Sequence, residues 1–104
     1  MKKDSKELTR QFKQRLYTFT LRLIELLDKL NNDNVSKRIG DQLLRSGTSI
    51  IGDYIEGQAA SSKKDYAKYF NISLKSANES KLWLALLETA NEYLRLRLNG
   101  FLKN

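Results

Sequence analysis

Asp53 and Glu56 stand three residues apart in the segment Arg45-Ser-Gly-Thr-Ser-Ile-Ile-Gly-Asp-Tyr-Ile-Glu-Gly57. On a helix that spacing puts two carboxylates on one face, near enough to share a cation. Arg45, Ser49 and Asp53 also follow one another at i,i+4 spacing, which suits an ion-pair network along a helix surface. The network is the simpler reading, because the chain has no His and no Cys to complete a metal site. The same two absences exclude Ser-His and Cys-His nucleophiles, thiolate chemistry and disulfides. Gly40, Gly47, Gly52 and Gly57 fall within a helical pattern, so none belongs to a phosphate-cradling loop between strand and helix. The expectation is a protein with no catalytic residue, no metal and no cofactor.

Arg45, Asp53, Glu56 and Glu79 then need another role. Arg45 and Glu56 share a helix face but lie about 16 Å apart along its axis. Each needs a local partner, a neighbouring helix or another subunit. Arg is a fork-shaped donor suited to carboxylates, and Glu79 is its candidate partner. Two readings are open for this face: a solvated surface, or a polar network between helices or subunits. Ser49 and Gly57 belong to the same set.

The elements that hold these residues are helices. Pro is absent and no strand-like alternation occurs. The expected fold is an all-α antiparallel up-down bundle, one domain over 1–104, with helices near 5–30, 34–58 and 62–90 or extending to 98. Leu8, Phe12, Leu16, Phe19, Leu23, Leu26 and Leu30 form the stripe of the first helix, widened by Tyr17, Ile24 and Leu27. Asp33 or Asn34 caps the second, whose core face is Ile39, Leu43, Gly47, Ile50, Ile51 and Tyr54. Three glycines inside that helix point to close approach by a neighbour, and Gly57 fits a C-terminal cap. Ser61 or Ser62 caps the third helix. Its seam runs through Tyr66, Phe70, Ser73, Ala77, Ser80, Leu84, Leu87, Leu94 and Leu98, widened by Tyr69, Ile72, Trp83, Leu86 and Tyr93. Ser73, Ala77 and Ser80 make a notch for the bulky side of another helix. Asn99-Gly100 reads as a stop, so the third helix bends near Thr89–Asn91 or overhangs. Leu23, Ile50, Phe70, Leu84 and Leu87 are expected in the core. Three broad apolar stripes leave an open groove, which favours a homo-oligomer.

Net charge is +7, unevenly spread. Residues 1–20 hold Lys2, Lys3, Lys6, Arg10, Lys13 and Arg15 against two acids, and the start of the third helix adds Lys63, Lys64 and Lys68. Arg95 and Arg97 make the other end basic. Basic surfaces of this kind suit RNA or another nucleic acid through phosphate contacts. Tyr66, Tyr69 and Phe70 are either stacking faces for bases or core residues flanked by solvated lysines. No apolar run approaches the roughly 20 residues of a membrane span. The N-terminus has no signal-peptide stretch, so the cytoplasm is the expected location.

Arg45-Ser-x-x-Ser-Ile50, Asp53-x-Ile55-Glu-Gly57 and Ser62-Lys-Lys-x-Tyr66-x-x-Tyr-Phe70-x-Ile72-Ser-x-x-Ser76-x-x-Glu79 together resemble a known family over about residues 8–94. It is the four-helix-bundle family encoded in intervening sequences of bacterial 23S ribosomal RNA genes, also called S23-like. It is similar to the accessory variability determinant proteins of diversity-generating retroelements. Asp53, Ser73 and Lys75 stand where the family more often has Asn, Ala and Gly. The resemblance implies a basic, non-catalytic bundle that assembles into a ring-like oligomer, a pentamer among relatives, and associates with RNA. The alternative is a protein-interaction or assembly module, for example a reverse-transcriptase accessory protein, docking a partner in the groove or on the polar face of the second helix. Family members continue through a turn into a fourth helix. This chain stops where that helix is expected to begin, which leaves the groove open.

Overall fold

The computed structural model describes the backbone of residues 2–103 and the side chains of residues 5–93 and 95–100. Lys2 and Lys3 of the expected basic set, and Leu94 of the expected seam, have side chains outside the described residues. Three helices are present among the described residues: α1 (Lys2–Asp28), α2 (Asn34–Gln58) and α3 (Lys63–Lys103).

The two turns are set by local chemistry. The Asp33 carboxylate accepts the Ser36 backbone N–H at 3.0 Å and starts α2. Bonds from Ser36, side chain first and then backbone, hold the Asp33 carboxyl below its ordinary pKa. The Ser62 hydroxyl accepts the Asp65 N–H at 3.1 Å and starts α3. Gly57 is not a cap. α2 runs through it to Gln58, Ala59 closes the helix in an ordinary right-handed conformation, and no residue has a positive φ among those described.

α2 lies between the other two helices and is antiparallel to both. Phe12 meets Tyr54 edge-on at 5.1 Å between ring centres, while Leu23 and Leu43 share the core cluster with Leu87. α1 closes on the glycine side of α2. A Cβ on Gly47 would overlap the Leu23 Cδ2 atom, and one on Gly40 would lie 3.0 Å from a Leu30 methyl. Gly52, in contrast, has open space around it. The close approach read from three glycines therefore holds at Gly40 and Gly47 and fails at Gly52.

α3 packs on a neighbouring face of α2, about a quarter turn from α1, through small residues on both sides. The Ser73 hydroxyl donates to the Ile50 carbonyl at 2.7 Å, and the Ser46 and Ser80 hydroxyls share a bond of 2.8 Å. A Cβ on Gly57 would come within 3.2 Å of the Tyr69 Cβ. The notch on α3 thus meets Ser46 and the α2 backbone rather than a bulky face. The Trp83 indole N–H is buried without an acceptor among the described residues, a cost of about 1–3 kcal/mol.

The core is small. Leu23, Leu43, Ile50, Ile51, Tyr54 and Leu87 are buried. Leu84 is half-buried, and Phe70 is exposed rather than central. α1 and α3 meet only through side chains such as Leu23 and Leu87, so a cleft stays open between them. Gly100 does not stop α3, which continues as one helix to Lys103. A helix of 41 residues is about 60 Å long at 1.5 Å per residue, and it accounts for most of the 66 Å long axis. No described helix is long and apolar enough to cross a membrane.

Candidate nucleic-acid interface

Antiparallel packing decides which charges become neighbours. The start of α1, the end of α2 and the start of α3 lie together, tied by the Phe12–Tyr54 contact and by Gly57 against Tyr69. Lys6, Arg10 and Lys13 stand at i, i+4 and i+7 on one exposed face of α1. Lys63, Lys64 and Lys68, also exposed, open α3 at this same end. The fold therefore gathers two separate basic segments into one region.

The cations differ in how they are held. The Arg10 guanidinium donates to both carboxylate oxygens of Glu7. The hydrogen bond from Arg10 lowers the Glu7 pKa, and the same bond raises that of Arg10. Lys68 Nζ lies 5.7 Å from the centre of the Tyr69 ring. Arg15 points elsewhere: with Arg22, Gln14, Thr18 and Phe19 it borders a shallow depression on the outside of α1. Arg22 was not singled out from sequence, although its spacing of seven from Arg15 puts it on the same face.

Arg95 and Arg97 do not join this region. They lie near the far end of α3, about 40 Å from Lys68 along the helix. Arg95 donates to both oxygens of Glu92, at 2.6 and 2.7 Å, and the Arg97 guanidinium sits 5.9 Å from the Tyr93 ring centre.

The polar face of α2 is solvated. Arg45 Nη2 donates to Gln42 Oε1 at 3.4 Å, and the Ser49 hydroxyl donates to the Arg45 carbonyl at 2.9 Å. Asp53 is half-buried and Glu56 exposed. Among the described residues no ion pair joins Arg45, Asp53, Glu56 and Glu79 to one another. Within the chain the expected Arg45–Glu79 pair is absent because each residue is one step from the packed pair Ser46 and Ser80. One step turns a helical side chain by about 100°, away from the α2–α3 contact. Gly57 belongs to the packing, not to this face. No group of three potential metal ligands occurs among the described residues.

Beside the basic end lies the cleft. Leu16, Phe19, Ile50, Ala77 and Leu84 line a hollow of about 250 Å³ that exposes carbon and no polar atom. Near the start of α3 Tyr66 and Phe70 stack with centres 6.3 Å apart and planes 11° from parallel. Both rings are exposed, so they are accessible faces rather than core. Burial raises the pKa of Tyr54 on α2, and the nearby Tyr66 phenol adds to the shift.

The fold is similar to that of a protein of unknown function from the S23 ribosomal protein family of Bacteroides thetaiotaomicron VPI-5482. The two chains are 37% identical, the match covers 75% of this chain and 72% of that one, and the TM-score is 0.70. No functionally curated protein matches the chain. The 23S rRNA-intervening sequence protein family matches residues 8–97, and the chain belongs to that family.

Proposed function

We propose that this chain is a non-enzymatic, self-associating helical bundle of the cytoplasm that holds RNA at one basic end. The observation that supports this most is the gathering of Lys6, Arg10, Lys13, Lys63, Lys64 and Lys68 at one end by antiparallel packing. Such a surface meets phosphates and fixes the position of an RNA without reading its sequence. The stacked rings of Tyr66 and Phe70 beside it offer apolar faces to unpaired bases. The test is RNA affinity against salt. The triple variant Lys13→Glu, Lys64→Glu, Lys68→Glu should bind more weakly. Its log–log salt slope should fall by about two, at roughly 0.7 per phosphate contact on a single strand. Arg95→Glu with Arg97→Glu should change the slope less. Unchanged binding by the triple variant would remove the basic end as the footprint.

A second reading has its own observation. The apolar cleft between α1 and α3 exposes only carbon at its floor, which suits a protein surface better than a polyanion. On that reading the bundle is an assembly module, and its binding would be insensitive to salt.

A further inference from the structure

A second apolar channel lies between α1 and α2, on the side of α1 away from the cleft. Tyr17, Leu21 and Ile24 follow one another on α1 at spacings of 4 and 3, and all are exposed, Leu21 by 65%. Leu21 stands two residues from Phe19, which lines the cleft. The two side chains therefore leave α1 about 160° apart, and an occupant of the cleft does not reach this stripe. It meets α2 at Leu44, which is also exposed. Leu21, Ile24, Leu27 and Leu44 line a hollow of about 440 Å³, together with Glu25 and Asp28. Leu27, Asp28 and Leu44 also line the next hollow, of about 350 Å³, which reaches Leu30 and the Asn31–Asn32 turn. The two make one channel from Leu21 to Leu30, about 14 Å along α1.

We infer that this channel docks a basic amphipathic helix of another protein. The shape selects a helix. A channel between two antiparallel helices takes a third by ridge-into-groove packing, and the described residues offer no sheet edge to which a strand could add. About nine residues of helix span the channel, so three apolar anchors at i, i+3 or i+4, and i+7 fill it. The charge selects the sign of the partner. The chain carries +7 overall, yet Glu25, Asp28 and Asp41 line the two hollows against one cation, Lys37. Among the described residues neither Asp28 nor Asp41 is in an ion pair. Glu25 holds Lys29 at 3.4 Å with both groups largely exposed, a contact that is readily exchanged. Lysines or arginines flanking the partner's apolar stripe meet these carboxylates, whereas a polyanion is repelled by them. The channel is thus a surface separate from the basic end, and the inference does not depend on RNA.

The probe is a dye-labelled synthetic peptide of about 15 residues, long enough to form a helix, with leucines on one face and lysines on both flanks. The unaltered chain should bind it in fluorescence anisotropy. Leu21→Glu with Leu44→Glu changes two exposed residues, so the helical circular dichroism should stay the same. Binding should weaken about tenfold or more through the lost anchors. Asp28→Lys with Asp41→Lys should lose the lysine peptide and gain one whose lysines are replaced by glutamates. No binding by the unaltered chain, or binding that the leucine variant leaves unchanged, would overturn the docking site. An aspartate variant that keeps the original preference would overturn the basic partner. A leucine variant that sediments as a smaller species than the unaltered chain would show that a second copy fills the channel instead. A fall in RNA affinity in the leucine variant would also overturn the inference, by making the channel part of the RNA surface.

Discussion

Gly47 and Gly52 lie five residues apart on α2, with opposite surroundings. At Gly47 an added methyl would overlap the end of the Leu23 side chain, which is buried and must repack to make room. At Gly52 it would meet nothing within 4 Å. Gly47→Ala should therefore destabilise the chain by about 1–3 kcal/mol through overpacking. Gly52→Ala should stabilise it by about 0.5–1 kcal/mol, since an interior helical glycine loses more entropy on folding than alanine. Urea denaturation of the two variants checks the pair, and equal effects would mean that α1 does not close on Gly47. From sequence the two glycines look alike, because helical spacing shows which face a residue takes but not how near the neighbour comes. The face itself was legible: Leu43, Gly47, Ile50, Ile51 and Tyr54 are all buried, while Arg38, Arg45 and Glu56 are exposed.

Between elements, local signals were readable and competing ones were not. The starts of α2 and α3 follow from Asp33 and Ser62, each acting on an N–H three residues away. Gly57 carries the same local signal as a capping glycine, yet it serves the contact with Tyr69, which no local pattern contains. Asn99-Gly100 failed as a stop because a single glycine costs only about 1 kcal/mol in a helix. The broad apolar stripe of α3 held two faces in one. Its inner part packs on α2, while Phe70, Leu86 and Tyr93, read as core or core-widening, are exposed. The buried hydroxyl bond between Ser46 and Ser80 was hidden for the same reason: it joins residues 34 apart. The Ser76 carbonyl lies within bonding distance of Ser80 and the Leu43 carbonyl within that of Ser46, so one hydroxyl proton bridges the two serines while the other goes to its own carbonyl. Each hydroxyl keeps a local acceptor if the other is removed, so the bond between them should appear as coupling. A double-mutant cycle of Ser46→Ala and Ser80→Ala should give 0.5 kcal/mol or more. Additive losses would show that the two hydroxyls act separately.

At the scale of the whole molecule, α3 divides into a packed half and an arm. Leu87 is the last residue buried against the bundle, and the helix runs on to Lys103. The packed half draws its stability from Ser73, Ser80 and Leu87 against α2. The arm has its own hydrogen bonds but no wall beside it. Isolated helices shorter than about 12–15 residues are marginal in water, and helix ends open at little cost. Amide exchange should therefore be slow for residues 73–87 and fast for residues 88–100 when the chain is monomeric. Uniform protection along α3 in the monomer would mean that the helix is held along its whole length and does not divide at Leu87.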